Sequence, residues 1–302
     1  MLVNKTVLAQ AFIAMSTIFN NAFADAPSQW QKIGMLVPSN TATNDYNWLS
    51  KIPQMKEWID EKTVKSLAAY DYTIKNKDWE VTIAVDRNDI EDDQLGIYRP
   101  QAMMVGESAK QLPDEIVFAL VNEAFTNKCY DGKAFFATDH KVGKTTVSNK
   151  GTKKLSIATL AAAQASYGAA RIALMKMKSD EGRSLNIKPN ILLVPPALAD
   201  IANALMTVDR LEDGKPNIYK GTAEVVVDNK LTSDDAWFLL DTTKAIKPFI
   251  YQERKKPTFV QQTDMASDDV FNRKQFKFGA EARASGGYGF WQLAYGSDGT
   301  VA

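Results

Sequence analysis

The chain has 302 residues, with 36 Lys and Arg balanced by 36 Asp and Glu, and 45% of it is hydrophobic. That apolar content excludes a disordered chain, the single Cys129 excludes a disulfide scaffold, and Cys129 with His140 gives too few soft ligands for a zinc cluster. The balanced charge argues against a strongly basic nucleic-acid binder, and no apolar run is long enough to span a bilayer.

Met1 to Ala26 can be read in two ways. Lys5, the apolar stretch Val7 to Phe19 and the small-residue site Ala22-Phe23-Ala24 imitate a cleaved secretory leader. However, Leu8, Phe12, Met15, Phe19 and Phe23 are spaced as one helical face, and polar residues interrupt the run. The stripe favours a docking helix that is not removed.

A polar, turn-rich tract without a period follows, from Asp25 through Asn44 to Trp48, Ile52-Pro53 and Trp58. It reads as an arm lying on something else. Next, Tyr70, Tyr72 and Ile74 alternate with polar residues, as do Trp79, Val81, Ile83 and Val85. With a polar turn at Asn76-Lys77-Asp78, this predicts a β-hairpin. Lys62 to Ala69 leads into it with weaker alternation.

Helix is expected from about Asp89, where carboxylates favour the helix dipole, with Pro113 restarting or kinking it and Val117, Leu120, Val121 and Ala124 buried. A lysine-rich loop spans His140 to Lys154. Ser156 is expected to cap a second long helix carrying Leu160, Ala163, Tyr167, Ala170, Leu174 and Met177. Ile191 to Val194 reads as a short buried strand, and Pro195-Pro196 opens a helix. Further strands are expected at Ala223–Val227, Ala236–Leu240, Phe249–Gln252 and around Phe276 to Ala284. No internal repeat is evident. The class is α+β, with two compact parts and two projecting ones.

Candidate chemistry is thin. Gly143-Lys144-Thr145 lacks the upstream glycine of a phosphate loop, where Thr138 stands, and no helix follows. The acidic run Asp86 to Asp93 has Glu91 and Ile97 where a calcium loop needs glycine and glutamate. His140 is the only histidine base, and nothing by motif orients it toward Cys129. The lysine loop lacks aromatics for base stacking. By contrast, large aromatics crowd the arm and the hairpin, segments that must bury them on neighbours.

Several stretches carry a family resemblance. They are Asp25-Ala-Pro-Ser-Gln-Trp30, Trp48-Leu-Ser-Lys-Ile-Pro53, Lys56-Glu-Trp58, Ile90-Glu-Asp-Asp-Gln-Leu-Gly-Ile-Tyr98, Cys129-Tyr-Asp-Gly132, Thr138-Asp-His140, Lys247-Pro-Phe-Ile-Tyr-Gln-Glu-Arg254 and Gly287-Tyr-Gly-Phe-Trp291. In this order the chain resembles the major head subunits of Mu-like phages and prophages. Gln94 and Lys141 depart from the family pattern, which has Asn and Pro there.

The resemblance implies the tailed-phage capsid fold of the Hong Kong ninety-seven type. Its expected parts are an N-terminal arm (1–55), an extended hairpin loop (56–86), a peripheral domain with a spine helix (87–184), an axial domain (185–244) and a return to the peripheral domain (245–302). The implied function is a major capsid protein that self-assembles into hexamers and pentamers of an icosahedral head enclosing DNA, within the virion and assembled in the host cytoplasm. The implied partners are further copies of itself, scaffold, portal and decoration proteins, and DNA by non-specific contact, with no membrane. No enzyme activity, cofactor, metal or catalytic residue is expected. Candidate contacts between subunits are Phe12, Phe19, Trp30, Trp48, Trp58, Tyr70, Tyr72, Ile74, Trp79, Val81 and Ile83. The alternatives are a secreted binding protein with a cleaved leader, or a hydrolase using Cys129 and His140.

Overall fold

The computed structural model describes residues 5–50, 72–92 and 94–301. Helix α1 (Lys5–Asp25) follows the apolar stripe, burying Leu8, Ala11, Met15 and Phe19. After a bend come helix α2 (Trp30–Ile33) and strands β1 (Gly34–Pro38), β2 (Thr43–Asp45), β3 (Thr73–Lys75) and β4 (Lys77–Asp86). The Asp86 carboxylate accepts the Asn88 N–H at 2.8 Å and so starts helix α3 (Arg87–Glu91). A 3-10 turn leads into the long helix α4 (Arg99–Asn122), which neither ends nor restarts at Pro113.

Short strands β5 (His140–Val142), β6 (Thr145–Val147) and β7 (Lys150–Lys153) precede helix α5 (Leu160–Met175). Its cap is Thr159, whose hydroxyl accepts the Ala162 N–H, not the expected Ser156, whose hydroxyl instead takes the Ala158 N–H inside the loop. Glu212 supplies a second acceptor, for the Leu160 N–H at 2.6 Å. Then follow β8 (Ile191–Val194), α6 (Ala199–Thr207), β9 (Glu224–Val227), β10 (Trp237–Leu240), β11 (Phe249–Gln262), α7 (Asp268–Arg273), β12 (Gln275–Tyr288) and β13 (Ala294–Val301).

The strands form two main sheets. One has the order β1-β11-β12-β4, with β1 parallel to β11 and the rest antiparallel. Pro257 lies in β11 where the register with β12 slips between Lys255 and Thr258. A residue without an N–H is tolerated at such an irregularity. The other sheet has the order β7-β13-β10-β8-β9. Its inner strands β8 and β10 are buried at every residue, which explains their unbroken apolar sequences. Because β7 and β13 join it, this sheet draws on strands outside the 185–244 boundaries expected for the axial part.

The hairpin expected around Asn76-Lys77-Asp78 does not form. Strand β3 pairs with β2, Thr73 opposite Asp45, whereas β4 pairs with β12, Trp79 opposite Ala282. Asn76 is the reason. Its side chain is buried, donating to the Ser39 hydroxyl at 2.9 Å and the Thr41 carbonyl at 2.8 Å while accepting from Gln252 at 2.8 Å. It anchors a crossing between two sheets rather than turning outward as a loop residue. Lys62 to Ala69, Tyr70 and the first part of the expected 56–86 loop lie outside the described residues.

Two apolar clusters hold the fold. The larger runs from Trp30 and Tyr46 through the C-terminal half of α4 into the five-stranded sheet. The smaller joins α1 to the N-terminal half of α4 and to Val85, Phe259, Phe276 and Phe278 of the first sheet. Gly106 permits this: a Cβ there would stand 2.5 Å from the Phe19 carbonyl oxygen. Helix α1 is also 21 residues long and contains an 18-residue stretch with a mean hydropathy of 1.4, enough by length and composition to cross a bilayer, which corrects the expectation of no such segment. Here its stripe is packed on α4.

A small repeat went unseen in the sequence. Lys128 to Ala134, Lys178 to Ser184 and Arg210 to Pro216 each form one bridge around an acidic residue followed by glycine and a cation. Gly132, Gly182 and Gly214 take φ of 79°, 79° and 81°, which the tight turn requires. The three turns follow α4, α5 and α6 respectively.

Candidate assembly surfaces

Cys129, Asp131 and His140 come together, as the sequence order hinted, with their ligand atoms within 4.8 Å of one another. The first glycine-containing turn brings Asp131 back toward β5, which carries His140. His140 Nδ1 lies 2.6 Å from Asp131 Oδ2, and Nε2 lies 3.3 Å from the Phe135 carbonyl oxygen. The ring stacks on Trp291 at 3.9 Å and 6°. Both ring nitrogens therefore face oxygen atoms of the same chain.

The Cys129 thiol donates to Asp131 Oδ1 at 3.2 Å. Burial, with the Asp131 charge adding to it, pushes that thiol far above its ordinary range, which disfavours the thiolate that a nucleophile needs. Burial also works to raise Asp131. Hydrogen bonds from His140 and the Lys133 N–H, with the His140 charge, outweigh it and hold the carboxyl below 3.8. The cluster is a closed hydrogen-bonded clamp between the loop after α4 and the Trp291 turn.

The aromatic residues named from the sequence divide into three groups. Phe19, Trp30 and Ile74 are buried within their own chain. Phe12 and Phe19 stack around Phe259 with centroids at 5.7 and 5.2 Å, and Trp30 meets Tyr251 at 5.0 Å. Trp48 and Tyr72 are half-buried: Trp48 lies edge-on to Phe290, and the Tyr72 hydroxyl accepts the Tyr288 N–H at 2.8 Å. Trp58 and Tyr70 lie outside the described residues. Along β4, Val85 is buried, Ile83 and Val81 are half-buried, and Trp79 reaches 36% exposure with its indole N–H on the Ala284 carbonyl. The inward face of β4 thus opens progressively toward Trp79.

Sequence reasoning did not identify the anchor of the arm. Asp114, buried on α4, accepts Ser28 Oγ at 2.5 Å on one oxygen and the Gln29 and Trp30 N–H groups at 2.7 and 2.8 Å on the other. It also missed Phe271, Met104 and Ile13, large apolar side chains left exposed. Phe271 on α7 had no periodic pattern around it to mark it.

The same architecture occurs in solved structures of a phage procapsid and a virus-like particle. The procapsid subunit of bacteriophage JBD30 superposes with a TM-score of 0.61 at 29% identity, over 98% of this chain and 76% of that one. The virus-like particle from Pyrococcus furiosus shares the fold at 10% identity, with a TM-score of 0.56 over 94% of this chain and 97% of that one. By fold this is a phage capsid subunit, a wall-building protein and not an enzyme.

The sequence narrows the class further. Residues 8–160, 155–231 and 227–302 match the family described as Mu-like prophage major head subunit gpT, and the chain belongs to that family. It is 33% identical to the major capsid protein of Escherichia phage Mu over 281 residues, 91% of this chain and 68% of that protein. It is 30% identical to the Mu-like prophage FluMu major head subunit of Haemophilus influenzae over 299 residues, 99% of this chain and 75% of that protein. It is the major capsid protein of a Mu-like phage or prophage head, and neither the secreted nor the hydrolase alternative is supported.

Proposed function

We propose that copies of this chain form hexamers and pentamers that close into an icosahedral head around DNA. The observation that carries this reading is the similarity to a procapsid subunit over 98% of the chain. The 87–184 and 245–302 segments supply most of the peripheral wall, and 185–244 meets its counterparts near the local symmetry axis. Balanced charge supports this, because a shell of many copies avoids self-repulsion and holds DNA only non-specifically.

Assembly takes place in the host cytoplasm with a scaffold and a portal. The JBD30 capsid is decorated with minor capsid protein trimers, and a corresponding decoration fits the outer face of this shell. Negative-stain microscopy of the chain co-expressed with the neighbouring head genes of its phage tests the reading. Closed particles with five- and six-fold capsomers are expected. A chain that stays monomeric under those conditions refutes it.

A further inference from the structure

Phe271 is the most exposed large hydrophobic residue among those described, 83% open. It sits on α7, where β11 turns back into β12. Val270 beside it is buried, which fixes the short helix on its strands and aims Phe271 outward. Asn272, Arg273 and Lys274 are exposed too. The tip is therefore an apolar knob followed by two cations, of which Arg273 is paired with Asp269 at 3.5 Å on the same helix.

An opposite surface lies elsewhere on the same chain. A cleft of about 230 Å³ opens between the outer end of β4 and α4. Trp79, Val81 and Leu112 form its apolar part with Glu80 beside them, whereas Glu115 and Glu281 on its rim are paired with Lys230 at 3.6 Å and Lys255 at 3.0 Å. The two surfaces cannot meet within one subunit. Asp86 pairs with Gln275 beside the tip and Trp79 pairs with Ala282, seven residues further along β12. At about 3.3 Å per residue that is roughly 23 Å.

We propose that Phe271 of one copy seats in the Trp79–Leu112 cleft of a neighbouring copy, with Lys274 facing Glu80. The contact joins two different patches, so each copy offers a knob and accepts one. Such head-to-tail contacts propagate around a ring and close where the rotation allows. Apolar fit and charge complementarity together commit the cleft to a second copy of this chain. The inference rests on the shell reading and deepens it.

The test uses thiol cross-linking of the full chain in assembled particles. Cys129 is buried, so introduced thiols react first. Phe271→Cys and Val81→Cys chains are made separately, mixed before assembly and oxidised. The proposal expects dimers only in the mixture, and a ladder of multimers from the double variant. Particles that form normally and give no such link overturn the knob-and-cleft contact while leaving the shell reading intact. Phe271→Cys linking to itself overturns it as well, because it places tip against tip. If the unmodified chain forms no particles at all, the shell reading fails and the proposal falls with it. As a second measurement, Phe271→Ser is expected to lower particle yield about tenfold, with the melting temperature of the unassembled chain unchanged. Equal yields refute the proposal.

Discussion

Replacing Asp114 with alanine is expected to release the Ser28–Trp30 segment from helix α4. One carboxylate oxygen takes the Gln29 and Trp30 N–H groups, and the other takes Ser28 Oγ. Each backbone donor to this charged acceptor contributes about 1.5 kcal/mol, so the alanine variant loses about 3 kcal/mol. Asp114→Asn separates the causes. Its remaining carbonyl oxygen takes the place of the one that serves both backbone groups, so it is expected to lose only about 1 kcal/mol. Urea unfolding of the unassembled chain measures both. Hydrogen exchange at Gln29 and Trp30 is expected to speed up roughly a hundredfold in the alanine variant. If Asp114→Ala unfolds within 0.5 kcal/mol (roughly the noise of such comparisons) of the parent, or Asp114→Asn loses as much as alanine, the capping argument is wrong.

Other substitutions probe the remaining contacts. Gly106→Ala should lower stability by about 1–2 kcal/mol despite the better helix propensity of alanine, because the new methyl meets the Phe19 backbone; a raised melting temperature would count against the α1–α4 packing. Cys129→Ala and His140→Ala should leave metal content unchanged, yet His140→Ala should lose about 3 kcal/mol by stranding Asp131 and emptying the stack on Trp291; stoichiometric metal lost with either variant would refute the clamp. Because the folded Asp131 carboxyl is held below the ordinary carboxylate range, its contribution is present above the unfolded pKa and lost as the pH falls through the folded value. Asp131→Asn should therefore flatten the acid limb of the melting temperature, and an unchanged limb would show the pairing to be ineffective.

Period carried much of the fold into the sequence. The 3-4 spacing of Leu8 to Phe23 marked α1 and its buried face, and the unbroken apolar runs marked β8 and β10. Alternation marked β4 but could not name its partner, because a period of two fixes which face is buried and not which strand lies alongside. The pairing of β4 with β12 joins residues about 190–210 positions apart in the sequence, and local turn signals at Asn76 pointed the wrong way. Burial of that amide depends on Ser39, Thr41 and Gln252, residues distant in sequence. The three acid-glycine-cation turns escaped notice because their starts at Lys128, Lys178 and Arg210 keep no fixed spacing. The clamp at His140 was legible as a proximity of residues, but its closed hydrogen bonding emerged only with Phe135 and Trp291 in place. The docking tip at Phe271 left no signal, since an isolated apolar residue in a polar stretch has no pattern.

The position of β12 between β11 and β4 has a consequence for synthesis. Strand β4 ends at Asp86, yet the strand that covers it begins at Gln275. During translation at about 5–20 residues per second, β4 waits roughly 10–40 s for its partner. Its partly apolar face and unpaired backbone are open to aggregation throughout that interval, and chaperone demand should peak there. The same order acts as a quality check. A truncated polypeptide lacks the middle of its sheet and cannot present a finished surface, so prematurely ended chains are kept out of the growing wall.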